Sequence, residues 1–131
     1  MTKEEYLSYC FDSFNTEADY PFDDWMESAV LRHKGSRKWY GIVMRVSRRK
    51  FGFDSDEMVD IVNLKRPIEL YDAFGVADGV YPAYHMNKLH WISLLLTDAT
   101  PETIAALTAL SYDATIHIPK RKRKYQEEAP L

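Results

Sequence analysis

Nine consecutive residues, Trp39 to Ser47, most narrow the folds open to this chain. Tyr40, Ile42, Met44 and Val46 fall on one face by period two, while Gly41, Arg45 and Ser47 fall on the other. That alternation predicts a strand of an antiparallel sheet with one side packed and one side wet. Ala29 to His33 precedes it as a shorter strand, separated by the turn-forming Gly35-Ser36, and the β-branched run Met58 to Leu64 follows as a third. Trp91 to Leu96 reads as a fourth strand.

Helices bracket these strands. Thr2 followed by Glu5 fits a capping box, in which each side chain satisfies a free N–H of the first turn. Tyr6, Leu7, Cys10, Phe11 and Phe14 then recur at the spacing of one helical stripe and are expected to face the core. Pro67 and Gly75 bracket a short helix carrying Ile68, Leu70, Tyr71 and Phe74, and Thr100-Pro101 opens another with Ile104, Leu107 and Leu110 on one side. Ser111 could cap a further turn or two, to about Ile118. Between the first helix and the first strand, Thr16 to Glu27 is acidic and aperiodic, a loop expected to anchor itself by Phe22 and Trp25. The expected fold class is α+β, an antiparallel meander packed by helices in the order α-β-β-β-α-β-α.

A chain of 131 residues, 46% hydrophobic, suits one domain with a core that needs no covalent staple. We place that domain at residues 1–119, followed by a basic tail, 120–131, expected to be frayed or disordered. Cys10 is the lone cysteine and lies in the apolar stripe, so a structural role in a reducing cytoplasm is expected, with no disulfide and no Cys-rich metal site. No apolar run approaches the length of a membrane span, and no membrane partner is expected.

The net charge of −3 hides a segregation. Residues 28 to 53 contain no acid and eight bases: Arg32, Lys34, Arg37, Lys38, Arg45, Arg48, Arg49 and Lys50. The segments on either side are acidic. Interleaved with Trp39, Tyr40 and Phe51, these bases form a candidate phosphate-binding ribbon, which would give affinity for DNA without sequence readout. The plainer reading is a solvated sheet face.

The densest polar chemistry lies in Tyr81-Pro82-Ala83-Tyr84-His85-Met86-Asn87-Lys88-Leu89-His90-Trp91. Pro82 fixes a φ angle and biases Tyr81 to extended backbone, so these side chains sit on a shaped connection. His85 and His90 are five apart with no carboxylate cluster beside them, which is no metal-ligand pattern. Tyr84, His85 and Lys88 could do acid–base work, but no nucleophile, oxyanion device or glycine-rich phosphate loop accompanies them. The expectation is a non-enzyme without cofactor, in which this cluster locks a loop or binds a partner.

Val62-Asn63-Leu64-Lys65, Tyr81-Pro82-Ala83-Tyr84-His85-Met86-Asn87-Lys88, His90-Trp91 and Ser111-Tyr112-Asp113 together resemble the MmcQ/YjbR family of small bacterial proteins. Tyr20-Pro21-Phe22, Lys38-Trp39-Tyr40 and Ser47-Arg48-Arg49-Lys50 fit the same pattern, so the resemblance spans about residues 2 to 119. It implies a secretion-chaperone-like or CyaY-like α+β fold and the family's usual label, a predicted DNA-binding protein with a double-wing motif. DNA is thus the expected partner. A protein partner on a chaperone-like platform is the alternative, favoured by the overall acidity.

Overall fold

The structure, a computed structural model, describes residues 1–67 and 77–116. Its elements are α1 (Lys3–Phe14), β1 (Ala29–Arg32), β2 (Trp39–Ser47), a 3-10 turn (Arg48–Phe51), β3 (Met58–Lys65), β4 (Val80–Pro82), β5 (Trp91–Leu95) and α2 (Pro101–Ile116). The strands form one antiparallel sheet in the order β1-β2-β3-β5-β4. The α+β class holds. Within the connection expected before β5, Val80 to Pro82 adds an edge strand, and α2 runs through Ser111 without a break. The short helix read between Pro67 and Gly75, and the tail, lie outside the described residues.

The capping box forms as read: the Thr2 hydroxyl accepts from the Glu5 N–H, and the Glu5 carboxylate accepts from the Thr2 N–H. Asp60 of β3 accepts from the Lys3 N–H at 3.1 Å, which ties the positive end of α1 to the sheet. Tyr6 and Cys10 are buried, and burial pushes the Cys10 thiol up to about 11, which keeps it protonated and inert. Phe11 does not join them; it is half exposed, and Tyr9 packs in its place.

Both faces of the sheet are largely covered, and on β2 the expected wet side is reduced to Arg45 near its end. Ala29, Leu31, Val43, Val62, Leu64, Ile92 and Leu94 pack with Ile104 and Leu107 of α2 and the buried residues of α1. On the opposite face Val30, Ile42, Met44, Val46, Val59, Ile61 and Leu95 are covered by Met26, Phe51, Phe53, Tyr81, Tyr84 and Met86, which come from connections and the edge strand. Loops rich in large side chains close this face, a solution that the strand period alone cannot reveal.

Tyr40 is a second correction. The β1–β2 register steps from Leu31↔Gly41 to Arg32↔Trp39, leaving Tyr40 as an extra residue in a bulge. The bulge turns its ring out of the Ile42–Met44–Val46 face and into the helix-side core, where its hydroxyl donates to Thr16 at 2.8 Å. The acidic loop anchors only in part as expected. Trp25 is 71% exposed, whereas Phe22 meets the Trp39 ring edge-on at 6.0 Å; the loop is held further by an Asp19–Val30 backbone bridge and by Asp24, whose carboxylate accepts from the Ser28 N–H and hydroxyl. Among the described residues no helix is long and apolar enough to cross a membrane.

Candidate functional site

The arginines of the basic ribbon meet the acids that the neighbouring segments carry. Arg32 Nε lies 2.9 Å from Asp19, with its guanidinium over the Trp39 ring, and Arg37 reaches the same carboxylate at 3.8 Å. Arg45 faces its register partner Asp60 at 3.2 Å. Arg49 meets Asp56 at 2.7 Å and Asp54 at 3.4 Å. Arg48 is held hardest: both terminal nitrogens donate to Asp98, at 2.7 and 2.8 Å, Glu57 stands 3.4 Å away, and the group lies over Phe53. This fork holds the Asp98 carboxyl below the usual carboxylate range. The segregation of charge along the chain is therefore in large part the complement of its own folding.

The ribbon's three lysines differ. No ion pair involves Lys34, Lys38 or Lys50 among the described residues. Lys34 is exposed in the β1–β2 turn, and Lys38 is half-buried at the end of the sheet where its charge, after burial, helps to lower the pKa of Lys65. Lys50 projects from the 3-10 turn at the far end of β2 and lines a cleft.

That cleft joins the two stretches singled out in the sequence. It has a volume of about 490 Å³ and is lined by Lys50 and Phe51 from the turn, and by Tyr81, Pro82, Ala83, Tyr84, His85 and Lys88 from β4 and the connection after it. Among the described residues no carboxylate lines it. Phe51 sits with its ring centroid 5.5 Å from Tyr81 and 6.3 Å from Tyr84, and the His85 ring rests 4.0 Å from Tyr84. Lys50, His85 and Lys88 are exposed around these rings.

The connection is shaped from beneath by two residues, Ser93, which sequence reasoning missed, and Asn63, which entered it only within the run Val62-Asn63-Leu64-Lys65. Asn63 and Ser93 are register partners across β3 and β5, both fully buried. Ser93 Oγ donates to Asn63 Oδ1 and accepts from the Tyr84 N–H at 2.8 Å, while Asn63 Nδ2 donates to the Tyr84 carbonyl at 2.8 Å. Every polar atom used in this network has a partner, as a buried network requires. An asparagine between Ile61-Val62 and Leu64 of a strand-forming stretch was the signal available.

The rest of the cluster divides. Asn87 is structural: its carboxamide oxygen accepts from the Leu89 N–H at 2.8 Å, and its carbonyl from the His90 N–H. The His90 carbonyl accepts from the Arg66 N–H, joining the connection to the end of β3. Trp91 is buried at the start of β5 beneath Lys65, whose ammonium stands 5.1 Å from the ring centroid. His85 adopts φ 60°, a left-handed conformation that turns the chain and leaves its ring at the rim of the cleft.

Known proteins resemble this chain in sequence and fold. The chain is 38% identical over 102 residues to an uncharacterised Bacillus subtilis protein, YyaQ, a match covering 78% of this chain and 86% of that one. A crystal structure of a Pseudomonas syringae protein superposes with a TM-score of 0.80 at 34% identity, covering 88% of this chain and 99% of the other. A crystal structure of the Deinococcus radiodurans protein DR2400 shares the fold at a TM-score of 0.61 and 23% identity, over 99% of this chain and 88% of that one. The family model described as YjbR matches residues 13–114, and the chain belongs to the YjbR family.

Proposed function

We propose that this protein is a cytoplasmic nucleic-acid binder without sequence readout, DNA being its expected partner, and that it acts by binding rather than by catalysis. The observation that carries the reading is the cleft in which Lys50, His85 and Lys88 stand around Phe51, Tyr81 and Tyr84, with no acid among the described residues that line it. Exposed lysines beside half-buried rings suit a polyanion that also offers flat bases. The ion-paired arginines of the ribbon are scaffold in this reading, and Lys34, Lys38, Lys50 and Lys88 are the phosphate contacts.

Fluorescence anisotropy on unrelated labelled duplexes and single strands, over a range of salt, tests it. Four phosphate contacts give a slope of log affinity against log salt near about −3.6 on duplex and about −2.8 on single strands, alike for every sequence. A variant with Lys120, Arg121, Lys122, Arg123 and Lys124 changed to Gln, run in parallel, separates the tail from the cleft. Absence of binding to either form at low salt overturns the reading.

A second reading rests on a different surface. Tyr20, Phe22 and Trp25 are exposed on the acidic loop beside edge strand β1, a combination that suits a basic, apolar segment of a protein partner. It moves ahead if the chain ignores nucleic acid.

A further inference from the structure

We infer that the cleft seats one unstacked nucleotide of a single strand, its base against the rings of Phe51, Tyr81 and Tyr84 and its phosphate held by Lys50 and Lys88. The inference rests on the nucleic-acid reading and narrows it to a site and to a strand form.

Three features carry it. The rings are held in place, with Phe51 tilted by 49° to Tyr81 and 57° to Tyr84: Phe51 is borne on a turn capped by Ser47, whose hydroxyl accepts from the Arg49 N–H, and Tyr84 is clamped through its own N–H and carbonyl by Ser93 and Asn63. Ring centroids 5.5 and 6.3 Å apart leave no slot between Phe51 and its neighbours, and their tilt lets one base stack on a single ring only, so a base must lie on the Phe51 ring with the tyrosines at its edge rather than between two rings. The lysines flank the rings from separate segments, one on the 3-10 turn and one beyond β4, and both are exposed. A duplex keeps its base faces stacked and can offer this cleft only phosphates. An unpaired nucleotide offers phosphate and face together, and stacking is sequence-tolerant because every base has such a face. The volume of about 490 Å³ falls within the ordinary range of small-ligand sites.

The test uses the full chain with a labelled oligothymidylate, the same oligomer carrying abasic positions throughout, and a duplex of equal length, each titrated at several salt concentrations and compared at the lowest. The intact single strand should bind at least about fivefold more tightly than the abasic strand, the loss expected for one stacked base. Phe51→Leu, which keeps an apolar side chain but removes the ring, should close that gap while leaving the salt slope unchanged. Its unfolding midpoint is measured alongside. Should Phe51→Leu lower that midpoint, Lys50→Gln with Lys88→Gln provides the second arm, since both side chains are exposed; it should reduce the single-strand slope by about 1.4. Equal binding of intact and abasic strands with a normal salt slope overturns the nucleotide seat and leaves nucleic-acid binding standing. Binding to none of the three overturns both. Competition by thymidine monophosphate as effective as by the oligomer overturns the strand as the source and assigns the cleft to a free nucleotide.

Discussion

Removing the Asn63 carboxamide leaves the Ser93 hydroxyl without its acceptor and the Tyr84 carbonyl without its donor, both at the root of the cleft. Orphaned buried groups cost about 1–3 kcal/mol, so Asn63→Ala should lower stability by that amount, measured by denaturant unfolding. Asn63→Ala with Ser93→Ala should cost less than the sum of the two, because the partners form one network. His85→Ala should change stability far less, since the imidazole is exposed. An equal loss at His85 would move the lock from the strands to the connection. The conspicuous residues of Tyr81 to Trp91 thus divide between rim and turn, and what holds them lies beneath, on β3 and β5. Sequence period places Asn63 and Ser93 in strands, but only register brings them opposite each other.

At the scale of elements, the β1–β2 hairpin and α2 are joined by a buried histidine. His33 Nε2 lies 2.6 Å from the Thr115 hydroxyl, whose own proton goes to the Ser111 carbonyl at 2.8 Å; this fixes Nε2 as the donor. Nδ1 is then the site for a second proton, and it is buried with no hydrogen-bond partner among the described residues. Burial, with the nearby Lys38 charge, therefore pulls the His33 pKa below its ordinary value. A lowered folded pKa means that the unfolded chain takes up the proton first. The stabilisation is complete above about pH 6.5 and is lost as the pH falls through the folded value. Thermal unfolding should show a midpoint that declines below about pH 6.5, and His33→Gln should flatten that decline; an unchanged profile would contradict this account. Element bounds were legible here because capping and period act locally: Thr2, Glu5 and the run Trp39 to Ser47 stand where they were read. The Tyr40 bulge was not, since it exists only in the pairing of two strands.

For the whole molecule, charge is the organising quantity. The acid-free segment 28 to 53 reads as a positive ribbon along the chain, yet in space Asp19, Asp54, Asp56, Glu57, Asp60 and Asp98 converge on its arginines. Linear composition cannot show that convergence, because most of the partners come from other elements. It does identify Lys50 and the 81–91 stretch separately, and the fold brings them to one cleft. The central claim is that cleft lysines, not ion-paired ribbon arginines, meet phosphate. The most direct measurement is the salt dependence of single-strand affinity for the full chain, for Lys50→Gln with Lys88→Gln, and for Arg45→Gln. Arg45 is the control because it is exposed but committed to Asp60 on the helix side of the sheet. The account predicts that the lysine pair reduces the slope by about 1.4 and that Arg45→Gln leaves it unchanged. An unchanged slope in the lysine pair, with a reduced one in Arg45→Gln, would contradict it.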